Sequence, residues 1–355
     1  MGEADHRPIV LHIGEAIKYN HDYCEKEFSS RFKIVHNDKL NREDFIAALK
    51  NHEFGNFSAI FRPHFQSGGE MGQWDDELIS LLPSSVRIFA SAGAGYNWAD
   101  VDTLGRRGIL YCNGAGASDD AVSDTALWMI LSVFRNFTMS QLAARTADPA
   151  RFTEAHKKIA TISANPKGKV LGIVGLGNIS LKLVGKAKAI GMTIRYFDVR
   201  RRSVEEEKDL GVEYLDFDDL LAQSDCISLH VPLNRHTRHL INSDSLAIMK
   251  PGARIVNTSR GEVVDETSLI EALRSGHIGA AGLDVHYNEP QVSPELAQME
   301  NVTLTTHVGG GALDTRINFE LNAMRNIVEV LEGREPLTPV NGDVVRQAMK
   351  KQTQT

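Results

Sequence analysis

Cysteine is scarce: Cys24, Cys112 and Cys226 are the only three in 355 residues. An odd number of widely separated cysteines supports neither a disulfide framework nor a thiolate zinc site, and each reads as a small buried residue. Basic tracts are missing too. The net charge is -7, and the one local basic cluster is Arg200-Arg201-Arg202. Nothing supplies the clustered positive face that nucleic-acid phosphates need, so that partner class is excluded. No apolar run approaches the ~18 residues of a membrane span. Met1-Gly2-Glu3-Ala4-Asp5-His6 has no basic-then-apolar leader, and His6 stands where myristoylation of Gly2 needs Ser or Thr. Gln352-Thr353-Gln354-Thr355 matches no organelle tag. The expected location is cytoplasmic. There is no internal repeat or low-complexity tract.

What is present is ordinary globular composition, 42% hydrophobic and 24% charged, at a length suited to two domains. Short apolar strands (8–13, 32–36, 57–61, 86–90, 109–112) alternate with amphipathic stretches such as 42–50 and 74–82, the pattern of a parallel sheet covered on both faces. One long helix is expected from Asp119 to about Ala144, opened by Ser118 and the acids that follow and stopped by Asp148-Pro149. Beyond it the alternation resumes with about seven strands, and a helix over 313–331 returns to the first unit. The expected fold is α/β, two Rossmann-like or flavodoxin-like doubly wound parallel-sheet domains with a cleft between them. Residues 1–120 plus 312–355 form the expected substrate domain, and 121–311 the dinucleotide-binding domain.

The most informative stretch is Val170-Leu171-Gly172-Ile173-Val174-Gly175-Leu176-Gly177-Asn178-Ile179-Ser180. An apolar strand ends in a glycine turn and a helical pattern follows. A second strand then closes on Asp198, about 20 residues on, as a dinucleotide site requires. Gly175 permits the tight turn, and Gly177 lets the backbone approach a pyrophosphate. The helix N-terminus supplies N–H groups, and Asp198 accepts from a ribose hydroxyl. The competing reading is an ordinary glycine-rich βα turn. The two flanking strands and the spaced acid argue against it, although Ser180 stands at the third fingerprint position.

Ligands in such sheets bind beyond the carboxyl ends of strands. Three polar residues follow apolar runs there: Arg260 after 255–259, Glu289 after 283–288 and His307 after 302–306. Singly they read as a surface ion-pair partner, a turn acid and a core histidine. Together they suit one reaction. A guanidinium fork holds a carboxylate, and an imidazole exchanges a proton with a carbonyl oxygen. A carboxylate favours the imidazolium and orients its ring. With hydride from a nicotinamide, that is interconversion of 2-oxo and 2-hydroxy acids.

At these residues the chain resembles the D-isomer-specific 2-hydroxyacid dehydrogenase family, over nearly its whole length. The matching motifs are 175–179, Asn257-Thr258-Ser259-Arg260-Gly261-Glu262-Val263-Val264-Asp265, 281–290 and Thr305-Thr306-His307-Val308-Gly309-Gly310. Within that family the fungal mandelate-type branch is most similar, on 82–85, 90–98 and 289–293. The resemblance implies that Arg260 binds the substrate carboxylate and 2-oxo group, that His307 is the acid/base, and that Glu289 is its partner. It implies that Gly93, Ala94 and Gly95 hold the carboxylate through backbone N–H groups. It places Thr125, Gly175, Leu176, Gly177, Asn178, Ile179, Asp198, Val199, Arg200, Val231, Pro232, Thr237, Thr258, Ser259, Asp284, His307, Gly309 and Gly310 along the cofactor. It also implies a homodimer built through the cofactor domain. Asn97, where the family often has Asp, is a departure beside that of Ser180.

Asp198 favours NAD over NADP, whereas Arg200, Arg201 and Arg202 offer a cradle for a 2′-phosphate, so NAD with NADP tolerated is expected. No metal is expected. Tyr96 and Trp98 beside the carboxylate loop, with Phe61 and Arg62 at a strand end, suggest room for bulky 2-oxo acids such as phenylglyoxylate, although core packing claims at least one of the two aromatics. The alternatives are a glyoxylate/hydroxypyruvate reductase, a formate- or phosphite-type dehydrogenase, and a nucleotide-sensing co-repressor-like scaffold of the same fold.

Overall fold

A computed structural model describes residues 6–39, 41–64 and 67–352. The readings on residues 1–5 and 353–355 lie outside them. The chain divides into two compact units, Met1–Ser118 with Ala312–Thr355, and Asp119–Gly311.

The first unit holds β1 (Ile9–His12), β2 (Lys33–His36), β3 (Phe57–Arg62), β4 (Ile88–Ser91) and β5 (Leu110–Cys112). They form one parallel sheet in the order β2-β1-β3-β4-β5, the flavodoxin-like arrangement. Alternate side chains along each strand feed two cores. Leu11, Ile60 and Phe89 enter one; Val10, Ala59, Phe61 and Ile88 enter the other, against Ala323, Met324 and Ile327 of the helix Leu313–Leu331. Burial on both faces explains the near-continuous apolar runs. Phe61 is therefore not a ligand-facing residue: it is 1% exposed and packs against Phe28 and His12. The expected helix over 74–82 shortens to Asp76–Ser80, because Asp75 caps it and Trp74 instead bridges to Ala99.

The second unit holds β6 (Val170–Val174), β7 (Thr193–Phe197), β8 (Glu213–Tyr214), β9 (Cys226–Leu229), β10 (Ala253–Asn257), β11 (Ile278–Leu283) and β12 (Val302–Leu304). Their order, β12-β11-β10-β9-β6-β7-β8, is all parallel and reverses at β6, as in a Rossmann sheet. Two doubly wound parallel sheets are thus present, as the alternation predicts. Among the described residues no helix is long and apolar enough to cross a membrane.

The single long helix expected from Asp119 is in fact two, Asp119–Arg135 and Phe137–Arg145. Asn136 breaks it with φ 53°, a left-handed conformation that Asn tolerates better than most residues. Carbonyls freed by the break are taken up: Phe134 O accepts from the Ala164 N–H at 2.9 Å, and Arg135 O from the Ser163 hydroxyl at 3.0 Å. A further helix, Pro149–Ile162, follows at once. Asp148-Pro149 stops one helix and also starts the next, with the Asp148 carboxylate as cap and proline at a position where no N–H is needed. Of the cysteines, Cys112 and Cys226 are buried and Cys24 is partly exposed.

Each unit holds a neutral, desolvated histidine, buried in the case of His12 and partly buried in that of His230. Burial, aided by nearby His36 and His64 and opposed by Glu320 and the Glu15 carbonyl, pushes His12 from 6.5 down to about 4. Burial alone takes His230 to about 4. Between these values and 6.5 the unfolded chain binds the protons that the folded chain refuses, so stability is full above about pH 6.5 and falls on acidification towards pH 4. A shift of this size corresponds to about 3 kcal/mol per residue. Urea midpoints measured from pH 7.5 to 4.5 are expected to fall across this window, which lies above most carboxylate titration, and to fall less steeply in His12→Gln. Flat midpoints would contradict the burial account.

Candidate active site

Arg260, Glu289 and His307 lie beyond the C-terminal ends of β10, β11 and β12, three neighbouring strands. Glu289 and His307 meet directly, with Nδ1 of His307 2.7 Å from Oε2 of Glu289. The other oxygen, Oε1, accepts from the His286 backbone N–H at 2.9 Å. Partial burial opposes charge on Glu289, but the bonds from His307 and His286 outweigh it and hold its pKa below the ordinary carboxylate value. An ionised Glu289 can only accept, so Nδ1 carries the proton of this bond and any proton exchange with a ligand falls to Nε2.

Arg260 is presented by a braced turn. Asn257, 1% exposed at the end of β10, donates from Nδ2 to the Arg260 carbonyl at 2.9 Å, while its Oδ1 accepts from the Ser259 N–H and hydroxyl at 3.0 and 2.8 Å. The next residue is Gly261. A Cβ there would lie 2.1 Å from the carbonyl carbon of His286, so only glycine permits this approach. The arginine turn is thereby pressed against the segment that carries Glu289. Neither Asn257 nor Gly261 was singled out from sequence, although both lie inside the motif around Arg260. An Asn at a strand-to-turn junction was the available signal.

The dinucleotide turn has the features the fingerprint requires. Gly175 adopts φ +93°, and a Cβ there would meet the His230 carbonyl oxygen at 2.8 Å and Val231 at 3.0 Å. A Cβ on Gly177 would meet nothing within 4 Å, so the space beside it is open for a ligand. Gly177 caps the helix Asn178–Ala189 without any side-chain acceptor, leaving the first N–H groups available. Ser180 is fully buried and its hydroxyl donates to the carbonyls of Gly175 and Gly177 at 2.7 and 3.0 Å. The serine therefore packs where glycine is usual and also ties the turn. Asp198 accepts from the Leu176 N–H at 2.7 Å and the Arg200 N–H at 2.9 Å, with lone pairs left for hydroxyls. Thr258 supplies a buried hydroxyl with no partner among the described residues, at the end of β10 where a ligand would lie. This donor set fits a dinucleotide.

The other expected cofactor residues divide. Thr125 donates to the Ala121 and Gly309 carbonyls. Thr237 braces its own loop, donating to the Pro232 carbonyl at 2.6 Å and accepting from the Asn234 N–H at 2.8 Å. The Ser259 hydroxyl is bound to Asn257. Ile179 occupies the first turn of its helix, Val199 is 97% exposed, and Gly310 is half-buried. Arg201 is clamped by Glu207 in two bonds of 2.9 and 3.0 Å, over the Tyr214 ring. Arg202 pairs with Glu206 at 3.1 Å and reaches the Leu176 carbonyl at 3.2 Å. The exposed Arg200 side chain has no hydrogen-bond or ion-pair partner among the described residues. Among these residues no group of three or more His, Cys, Asp or Glu is placed to hold a metal ion.

Within the first unit, the carbonyls of Gly93 and Ala94 are taken by the Gly114 N–H and Asn113 Nδ2, each at 2.8 Å. The N–H groups of residues 93–95 have no acceptor among the described residues. Trp98 packs against Phe89 and Tyr111 and lies under the Arg62 guanidinium at 4.7 Å, so it belongs to the core. Arg62 is buried and donates to the Ser67 carbonyl and the Ser91 hydroxyl. Tyr96, half-buried beside the 93–95 loop, also packs its ring towards Tyr111, with centroids 6.2 Å apart.

Comparison with known proteins gives a consistent picture. Residues 127–309 match the family model described as D-isomer specific 2-hydroxyacid dehydrogenase, NAD binding domain. The holo form of D-mandelate dehydrogenase from Rhodotorula graminis is 44% identical with a TM-score of 0.91, covering 94% of this chain and 97% of that one. The 4-methyl-2-oxopentanoate reductase A of Aspergillus oryzae is 34% identical, over 94% of this chain and 98% of that protein. A glyoxylate reductase from Thermococcus litoralis is 38% identical, over 76% and 81%.

The two glycines have opposite expected behaviour. Gly261→Ala should cost about 1–3 kcal/mol in unfolding free energy, because backbone must shift. Gly177→Ala should change stability by no more than about 1 kcal/mol while weakening dinucleotide binding. Denaturant titration and dinucleotide fluorescence check both. Unimpaired binding in Gly177→Ala would contradict the turn's assigned role.

Proposed function

The chain belongs to the D-isomer specific 2-hydroxyacid dehydrogenase family, and from that premise we propose that it reduces bulky 2-oxo acids, aromatic or branched, to D-2-hydroxy acids. As a 2-hydroxyacid dehydrogenase or reductase it is an oxidoreductase. The observation that carries the chemical reading is the 2.7 Å pair of His307 and Glu289 next to the braced turn of Arg260. Bulky substrates are supported by the likeness to a mandelate dehydrogenase and a 4-methyl-2-oxopentanoate reductase. Tyr96 and Trp98, both packed on the first unit's core, lend no support.

In the proposed reaction Arg260 binds the carboxylate and 2-oxo oxygen; for the open N–H groups of residues 93–95 the proposed role is likewise carboxylate binding. His307 gives its Nε2 proton to the 2-oxo oxygen in reduction and removes it in oxidation, while Glu289 stays ionised and fixes the ring. A bound nicotinamide supplies or accepts the hydride at C2. Reduction therefore needs the imidazolium and oxidation the neutral ring, so the two directions respond oppositely to rising pH. NAD is the proposed cofactor, on Asp198, with NADP tolerated through Arg200, since Glu207 and Glu206 occupy Arg201 and Arg202. We place the enzyme in the cytoplasm as a homodimer; exposed Trp128, Phe137 and Phe152 on successive helices support an apolar interface. A sedimenting mass of 39.2 kDa would contradict the dimer.

His307→Ala is expected to lower turnover by about 100- to 10,000-fold, the scale of a lost general acid. Arg260→Lys should also be severely impaired, because an ammonium cannot reproduce a planar fork. Near-normal turnover in the first variant would remove His307 from the mechanism. A panel of 2-oxo acids followed by absorbance with NADH and NADPH, with chiral analysis of product, tests substrate and cofactor together. The expected result is D product, phenylglyoxylate or 4-methyl-2-oxopentanoate preferred to glyoxylate and pyruvate, and NADH preferred by about tenfold or more, the scale of one charge-assisted hydrogen bond. Preference for glyoxylate would overturn the substrate assignment, and equal efficiency with both cofactors would show that Asp198 is not decisive.

A further inference from the structure

Three arginines follow Asp198, and the fold commits one of them firmly. Arg201 forms a fork on Glu207, Nε to Oε1 at 2.9 Å and Nη2 to Oε2 at 3.0 Å, and its guanidinium carbon lies 4.8 Å from the centre of the Tyr214 ring. Glu207 is 8% exposed. Its Oε1 also accepts from the hydroxyl of Tyr196, a fully buried residue of β7, at 2.8 Å, and that hydroxyl accepts in turn from the Arg202 N–H at 3.0 Å. Burial pushes the Tyr196 hydroxyl up to about 12, so it remains a donor. The Arg201 fork, opposed by burial and helped by Tyr196, holds the Glu207 carboxyl below its ordinary value. The clamp is therefore an ion pair with a second, buried donor behind it.

The side of the sheet on which it closes decides its consequence. Tyr214 belongs to β8, the edge strand on one side of β7, and is the register partner of Tyr196. The glycine turn follows β6, on the other side of β7, and there Asp198 accepts from the Leu176 N–H. A ribose held between Asp198 and that turn lies on the β6 side. Arg201 is drawn the opposite way. To reach a 2′-phosphate it must leave Glu207 with a single donor in a largely dry place, and breaking such a pair is costly. We propose that Glu207 is a specificity-determining residue, which disfavours NADP by holding Arg201 over β8 and away from the 2′-phosphate. This rests on the proposed dinucleotide role of Asp198 and the glycine turn. Three consecutive arginines look like a phosphate cradle, and one acid six residues further on removes a member of it.

The test is binding of NADH and NADPH to the cofactor-free protein, read from the fluorescence of the reduced dinucleotide with no substrate present. Glu207→Gln keeps an acceptor for Tyr196 but spoils the fork, because the new NH2 faces Nη2 of Arg201. It is expected to tighten NADPH binding by about tenfold, equivalent to about 1.4 kcal/mol and within reach of one charge-assisted contact, and to change NADH binding by less than about threefold. Glu205→Gln removes the same charge from the exposed face of the same helical turn, and there NADPH binding is expected to change by less than about threefold. Adding Arg201→Ala to Glu207→Gln is expected to abolish the gain. Should Glu207→Gln fail to fold, Arg201→Ala alone decides: NADPH affinity within about threefold of wild type supports the proposal, and a larger loss shows that Arg201 already reaches the phosphate. NADPH binding unmoved in Glu207→Gln, a gain matched by Glu205→Gln, or a gain that survives the loss of Arg201 would overturn the proposal and leave the dinucleotide reading standing. A wild type that binds neither NADH nor NADPH would overturn both.

Discussion

A carboxylate that must remain charged while half out of water needs donors, and Glu289 has two: the His286 backbone N–H and the His307 imidazole. That shared carboxylate fixes the tautomer of the ring and leaves Nε2 as the group able to exchange a proton. The surrounding construction serves to keep it in place. β10, β11 and β12 are adjacent and parallel, so their three C-terminal loops emerge side by side. The Asn257 carbonyl, accepting from the Asp284 N–H, and Gly261 join the first loop to the second, and Asp284 joins the second to the third.

The same economy of backbone hydrogen bonds runs through the dinucleotide turn. Ser180 and Asp198 consume the carbonyls and N–H of residues 175–177, so the turn is rigid before any ligand arrives. The open volume beside Gly177 and the uncapped helix start are the parts left unfilled. A preorganised site of this kind spends little ordering entropy on binding, and charged donors aimed at a fixed point act strongly where water is excluded.

Much of the fold was legible because parallel strands buried on both faces read as apolar runs, and glycine turns punctuate them. Arg42–Lys50 and Leu313–Leu331 have the expected bounds. The site chemistry was legible where residue type is chemically demanding: a glycine turn closed by a spaced acid, and an arginine, glutamate and histidine at strand ends. What escaped was context. Periodicity runs through Asn136 without a break, because a single residue entering the left-handed region leaves the apolar pattern intact. Asp148-Pro149 was read as a stop, although the same pair is an equally good helix start. Phe61 reads as ligand-facing because strand position alone does not say which core claims a ring, whereas the expectation that core packing takes at least one of Tyr96 and Trp98 holds for Trp98. Arg201 and Arg202 read as a phosphate cradle until Glu207 and Glu206, four to six residues on, are brought back onto them by the helix that Ser203 caps. Gly261 and Thr305 act through contacts between loops far apart in sequence, which no local pattern encodes.

The central claim is that Glu289 and His307 act as one unit, and a double-mutant cycle measures it most directly. Turnover in 2-oxo acid reduction is compared for Glu289→Gln, His307→Ala and the two combined. If the carboxylate works only through the ring, the double variant is no slower than His307→Ala alone, and the losses are strongly non-additive. Losses that multiply independently would contradict the account, since Glu289 would then contribute something that the imidazole does not carry.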